Sequence, residues 1–231
     1  MSEDPLVRPM WNALSGLQAH LARSVEQGAA VRLDAGYGSF AGARDAGTAA
    51  QDALASLLGA GDDPVWVVEP AAWPAPQGTR VAMTVPLVQM VARALPPLED
   101  DDMGIVLLGD SDAPEMAGLA AEAEPGPWGP QTHRYGDFYG ARQGGLLRAM
   151  AGERFRPAAH FAELSGVATW PAWRGKGLAA RCMRRVIHGF AARGATAYLH
   201  CRADNAGAIR LYEKLGFAFS REMTVTVLVR E

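Results

Sequence analysis

Trp170-Pro171-Ala172-Trp173-Arg174-Gly175-Lys176-Gly177-Leu178-Ala179-Ala180 joins two segments of different periodicity. Before it, residues 159–169 read as an extended, mostly apolar strand. After it, from about residue 177 to 192, Ala179, Cys182, Met183, Val186, Ile187 and Phe190 recur at helical spacing, with Arg181, Arg184, Arg185 and His188 opposite. A strand-to-helix turn of this kind can aim successive backbone N–H groups at a phosphate, with the positive end of the helix dipole behind them. Gly175 and Gly177 remove the Cβ atoms that would hold a ligand off, and Arg174 and Lys176 add charge. A glycine-rich turn with incidental basic residues is the competing reading. Two nucleotide loops are excluded: no GxxxxGK[ST] is present, and Ala180 stands where GxGxxG needs its third glycine.

Working outward, residues 195–202 form a strand. Asp204 or Asn205 then caps a short helix with Ala208, Leu211, Tyr212 and Leu215 on one face, stopped by Gly216, and residues 224–229 close the chain as a strand. On the other side, residues 104–108 are a short strand. Asp112, with Glu115 three residues on as in a capping box, opens a helix to about Ala123, ended by Pro125-Gly126-Pro127. Residues 137–142 and 146–152 are strands around the turn Gln143-Gly144-Gly145. The order strand, helix, hairpin, long strand, helix, strand, helix, strand is that of a mixed α/β sheet.

Arg174-x-x-Gly177-x-Ala179, with Pro171 three residues ahead, matches the R/Q-x-x-G-x-G/A signature of the GNAT superfamily of acyl-CoA-dependent N-acyltransferases. Asn205-x-x-Ala208-x-x-x-Tyr212-x-x-x-Gly216-Phe217 matches the family's pattern for the next helix. The resemblance covers about residues 103–231 and is closest to the glycine N-acyltransferase-like branch. It implies an α/β (α+β) fold: a GNAT-type mixed, largely antiparallel sheet flanked by helices. It also implies acetyl-CoA as acyl donor and a small-molecule or peptide amine as acceptor. By the same resemblance the backbone of Val167, Ala168 and Thr169 pairs with the pantetheine arm, and Arg174, Gly175, Lys176, Gly177, Leu178, Ala179 and Ala180 hold the pyrophosphate. Asn205 hydrogen-bonds the arm or its vicinity. Tyr212 donates a proton to the departing thiolate, a core tyrosine being the alternative.

An amine acceptor must lose a proton and attack the thioester, which calls for a base. Glu163 lies 11 residues before Arg174, the offset of the base glutamate in the family's histone acetyltransferases. Between Phe161 and Leu164, a lone carboxylate is expected to have a raised pKa. A strand glutamate facing solvent is the competing reading. His160, His188 and His200 are read as solvated or structural. Trp170 and Trp173 are read as packing residues or walls for the adenine.

The rest of the chain bounds this reading. At 231 residues and 49% apolar it can bury one large core or two modest ones. Pro96-Pro97 and the acids at 99–102 read as a linker, dividing residues 1–102, an extra N-terminal α/β region, from residues 103–231. In the first part, residues 10–24 are expected to be helical, with Trp11, Leu14, Leu17, Gln18 and Leu21 on one face. Residues 52–58 are a second helix, and Val65–Glu69 and residues 80–85 are strands. This region either frames the acceptor cleft or is a structural cap. From Pro171 onward 11 basic residues face 4 acidic ones, which suits a phosphate-bearing ligand. No basic ribbon interleaved with aromatics supports nucleic acid. Five scattered histidines and two cysteines, Cys182 and Cys201, offer no metal spacing and read as reduced thiols. With no apolar run of about 18 residues and no signal pattern, a cytoplasmic protein with no membrane partner is expected. A non-catalytic acyl-CoA sensor is the alternative from another class, and thiol release with a panel of amines separates the two.

Overall fold

The computed structural model describes residues 4–59, 63–98 and 104–231; the linker acids at 99–102 lie outside them. The N-terminal part runs α1 (Pro9–Ser15), β1 (Ala22–Val25), β2 (Ala30–Leu33), β3 (Ala41–Ala43), α2 (Thr48–Leu57), β4 (Val65–Glu69) and β5 (Thr79–Ala92). The rest runs β6 (Ile105–Leu108), α3 (Ala113–Ala123), β7 (Phe138–Gln143), β8 (Leu146–Glu153), β9 (Phe161–Thr169), α4 (Leu178–Ala192), β10 (Thr196–Arg202), α5 (Ala206–Lys214) and β11 (Phe217–Arg230). Strands β1 to β3 make a small antiparallel sheet. The other eight form one sheet in the order β4-β11-β5-β10-β9-β8-β7-β6, antiparallel except for β9 beside β10. This is the mixed α/β sheet that the element order implied, largely antiparallel as the GNAT resemblance implied.

Several local expectations are corrected. The helix expected over residues 10–24 stops at Ser15, because Gly16 turns the chain and Gln18 is drawn inward. Gln18 Nε2 donates to the Arg154 carbonyl at 2.8 Å and its Oε1 accepts from the Arg156 N–H at 2.7 Å. Leu17 is consequently exposed, and Ala22–Val25 becomes a strand. The apolar spacing there mimicked a helix. The capping box at α3 does not form: Asp112 accepts from Gly109 N–H and Arg142, and Glu115 from Leu147 N–H and Arg142. The strand expected to end at residue 85 continues through Pro86. The proline carbonyl accepts from Ala203 N–H at 3.0 Å on the side where β10 pairing is only beginning, so its missing N–H leaves no ladder bond unmade.

β5, which precedes the expected linker, lies between β10 and β11, pairing Leu87–Val91 with one and most of its length with the other. The sheet therefore does not divide at residue 103. A chain starting at Met103 is expected to lack cooperative unfolding and near-ultraviolet circular dichroism, because two strands lose their shared neighbour and expose apolar faces. A monomeric, cooperatively melting truncation would contradict this.

Two features of β9 shape the site. Between Gly152↔Ser165 and Met150↔Ala168, three steps along β9 answer two along β8, a β-bulge. Gly166 takes φ +61° within it, and a Cβ there would lie 2.7 Å from Phe138 Cε1, so both conformation and packing require glycine. The parallel pairing with β10 covers Phe161–Glu163 against Thr196–Tyr198 and then stops, although both strands continue. The two strands part, leaving facing backbone edges without a ladder.

Candidate active site

The opening between β9 and β10 is the centre of the site. Val167, Ala168 and Thr169 lie on the β9 edge beyond the last pair with β10. The bulge switches the strand's faces: Leu164 packs with α4, whereas Ala168 packs with Met116, Phe138 and Met150. β10 is held on its other side by β5, so Leu199–Arg202 keep their β9-facing edge open.

The α4 N-terminus stands beside the end of β9. Gly175 and Gly177 both have φ +76°, the left-handed region, and no atom lies within 4 Å of a Cβ built at either. Gly177 has no side-chain cap, and the first helical bond comes from Arg181 N–H to the Gly177 carbonyl. Helix geometry then leaves the N–H groups of Leu178, Ala179 and Ala180 without intrahelical partners. Leu178 and Ala180 turn into the core and Ala179 is half-buried, one position off the expected stripe. Arg174 and Lys176 are exposed; Arg174 Nε reaches toward the Thr169 carbonyl at 3.4 Å, and Lys176 Nζ lies 4.1 Å above the Trp173 ring. This cradle, with glycines where a Cβ would intrude and open donors behind, suits a phosphate group.

Asn205, not Asp204, caps α5, its Oδ1 accepting from Ala208 N–H at 3.1 Å. Tyr212 is 8% exposed, packed near Phe217 and electrostatically coupled to Cys201, which belongs to the part of β10 that has left β9. Burial first, and Cys201 second, push the Tyr212 phenol well above its usual range, so it keeps its proton at neutral pH.

Glu163 sits where the strands part, fully buried, and the expectation of a raised pKa is corrected. Burial pushes the carboxyl up, but the Arg154 guanidinium and the hydrogen bonds from Arg154 and His200 outweigh it and hold it at about 2. Arg154 Nε donates to Oε2 and Nη2 to Oε1, both at 2.8 Å, and His200 Nδ1 lies 2.8 Å from Oε1. Gln89 of β5 completes the cluster: its Nε2 donates to the Leu6 carbonyl at 2.9 Å and lies 3.1 Å from His200 Nε2. Since Gln89 Nε2 can only donate, this network assigns His200 a protonated Nδ1 facing Glu163 and a bare Nε2 facing Gln89. His200 is thus a satisfied histidine, whereas His188 Nε2 meets the Pro96 carbonyl at 2.8 Å and the His160 ring packs on Phe161.

Arg154 and Gln89 were not among the sequence candidates. Arg154 had a signal: Glu153 pairs with Leu164 across the β8–β9 connection, which puts Arg154 opposite Glu163, an opposite-charge cross-strand pair. Gln89 had none, because its strand comes from the far side of the linker.

The FR47-like protein family matches residues 138–226. The N-alpha-acetyltransferase RimI of Mycobacterium tuberculosis is 32% identical over 129 residues, which span 52% of this chain and 80% of RimI. A GNAT-family protein from Novosphingobium aromaticivorans DSM 12444 superposes with a TM-score of 0.91 at 53% identity, over 99% of this chain and all of that one. A GCN5-related N-acetyltransferase from Kribbella flavida shares the fold, with a TM-score of 0.63 at 21% identity over 97% of this chain and 95% of its own. By the RimI and Novosphingobium relationships, and with the parted strands and open helix terminus in place, the chain belongs to the GNAT family of acetyltransferases.

Proposed function

We propose that this acetyltransferase moves an acetyl group from acetyl-CoA to a primary amine by direct attack of the amine on the thioester. The observation that carries the reading is the parting of β9 from β10 beside the uncapped start of α4. Acetyl-CoA supplies an activated acyl carbon and a thiolate leaving group. The open edge at Val167, Ala168 and Thr169 offers backbone groups to the amides of the pantetheine arm, as an added strand would. Arg174 through Ala180 offer N–H groups and charge to the pyrophosphate, and Asn205 stands near the arm.

Glu163, with its carboxyl held at about 2, stays ionised near neutrality and serves as a fixed negative charge that favours the positive charge building on the attacking nitrogen. The proton that this nitrogen sheds as the C–N bond forms and the C–S bond breaks passes to solvent water. Tyr212, still protonated at neutral pH, donates to the departing sulfur. Tyr212→Phe is expected to lower kcat by about 10- to 1,000-fold while leaving acetyl-CoA affinity unchanged. Wild-type turnover across the pH range would leave Tyr212 a packing residue.

Residues 1–102 are proposed to wall the acceptor side. Three contacts support this: Gln18 bonds both flanks of Phe155, Gln131 N–H bonds the Gly36 carbonyl, and Thr132 Oγ1 bonds the Tyr37 carbonyl. The RimI relationship favours a terminal α-amine as acceptor. A glycine N-acyltransferase-like kinship would favour a small amino acid. Thiol release with glycine, a lysine derivative and a short peptide separates these, and no release with any amine would favour an acyl-CoA sensor.

A further inference from the structure

Gln89 stands directly opposite His200 in the β5–β10 register, so the two side chains share one face of the sheet. Gln89 is 0% exposed and the His200 side chain 7%. The Gln89 amide is oriented at a cost. Its Nε2 carries two hydrogens, one donated to the Leu6 carbonyl at 2.9 Å and the other facing His200 Nε2 at 3.1 Å. Its Oε1, also buried, has no hydrogen-bond partner among the described residues. Turning the amide over would set Oε1 against the Leu6 carbonyl, acceptor against acceptor. A residue that only filled space here, such as leucine or methionine, would bury no orphaned oxygen. Leu6 is itself fixed: its N–H donates to Asp4 Oδ1 at 2.9 Å, Asp4 pairs with Arg221, and the Leu6 side chain packs with Val91 and Tyr198. The N-terminal segment thus aims a donor at the bare nitrogen of His200.

The surroundings of the imidazole give that donor its importance. Glu163 Oε1 lies 2.8 Å from Nδ1, and a carboxylate so near favours a second proton on the ring. Arg154 already supplies the counter-charge of Glu163, with bonds of 2.8 Å to both oxygens. Burial keeps the phenols of Tyr135 and Tyr198 protonated beside them. An imidazolium would therefore turn a neutral buried cluster positive, where on the reading above the amine nitrogen gains positive charge. A second proton on Nε2 would also meet the Gln89 N–H, donor against donor. We propose that Gln89 is a positioning residue for the transfer reaction: held by the Leu6 carbonyl, its N–H bars a second proton from His200 and keeps the Glu163 cluster neutral. This rests on the charge role given to Glu163 above. It gives the N-terminal region a part in the electrostatics of the site, besides its place at the acceptor wall.

The test is nitrogen NMR of the full chain with isotope-labelled histidine, which separates protonated from bare imidazole nitrogens. At neutral pH the unaltered protein is expected to show His200 with Nδ1 protonated and Nε2 bare. Gln89→Glu puts an acceptor where the donor was, in nearly the same shape, and is expected to show both nitrogens protonated at the same pH. Gln89→Met removes the donor without adding a charge, and decides the matter if Gln89→Glu does not fold. Its kcat/KM is expected to fall at least about tenfold below that of the unaltered protein on the acid side of neutrality and to approach it in alkali, as the imidazolium forms and disappears. A loss of packing alone would lower kcat/KM by one factor at every pH. A bare Nδ1 or a doubly protonated His200 in the unaltered protein would overturn the assignment. So would a singly protonated His200 in Gln89→Glu, or a Gln89→Met profile parallel to that of the unaltered protein. The spectra read no turnover, so failure of the transfer reaction shows separately, as absence of thiol release.

Discussion

Gly177→Trp is expected to reduce acetyl-CoA affinity by about 1,000-fold or more, from a micromolar dissociation constant to one near millimolar, about 4 kcal/mol. The open space around a Cβ at this position means the indole would meet no protein atom on entering. It would instead occupy the cradle in front of the α4 N–H groups, the volume assigned to the pyrophosphate. The positive φ of Gly177 adds a strain of about 1–2 kcal/mol for any residue with a Cβ, which at this chain length corresponds to a fall in Tm of about 2–8 °C. The variant should thus remain folded while calorimetry detects little binding. Unchanged affinity would remove the helix terminus from the cofactor site.

Glu163→Gln is expected to combine a loss of kcat of about 100-fold, the scale of a lost electrostatic contact to developing charge, with a loss of stability. The amide keeps the shape but leaves the buried Arg154 cation without its counter-charge, and breaking a buried pair from one side costs about 3–5 kcal/mol, or about 6–20 °C in Tm. The two effects separate in the double variant Arg154→Met with Glu163→Leu. Removing both charges should recover most of the stability, since apolar replacement of a buried pair is often neutral, while kcat stays low. A single variant with full activity would remove the Glu163 charge from the reaction.

The direction of the Glu163 shift also sets the pH behaviour. A carboxyl near 2 in the fold, against about 4.3 in an unfolded chain, contributes stability that is fully present above about pH 5. That contribution is lost as pH falls through about 2. Acid titration of the unaltered protein should show it, and Glu163→Gln should flatten the profile there. For the same reason, kcat/KM should rise with pH as the free amine accumulates, with no limb near neutrality assignable to Glu163. A limb that disappears in Glu163→Gln would contradict both the depressed pKa and the fixed-charge role.

The phosphate cradle was legible in the sequence because it is local. Arg174 to Ala180 span one turn, and a strand-to-helix junction with two glycines fixes which backbone groups point outward. The stripe from Cys182 to Phe190, the Gly144-Gly145 hairpin and the Asn205 cap to Ala208 are short-range for the same reason. The helix misread over residues 10–24 shows the limit: Gln18 turns inward only because the backbone of Arg154 and Arg156, more than 130 residues away, needs partners. The environment of Glu163 lay wholly beyond a sequence reading. Its apolar neighbours in the chain pointed to a raised pKa, but Arg154 across the β8–β9 connection and His200 from a parallel strand reverse the sign. Gln89 joins only because β5 inserts between β10 and β11. Sequence determined the elements and the turn that meets phosphate, because these depend on residues a few positions apart. The charge state at the heart of the site was decided by tertiary structure alone, because in a buried site the electrostatics follow distance in space, and the sheet brings together strands that the chain keeps far apart.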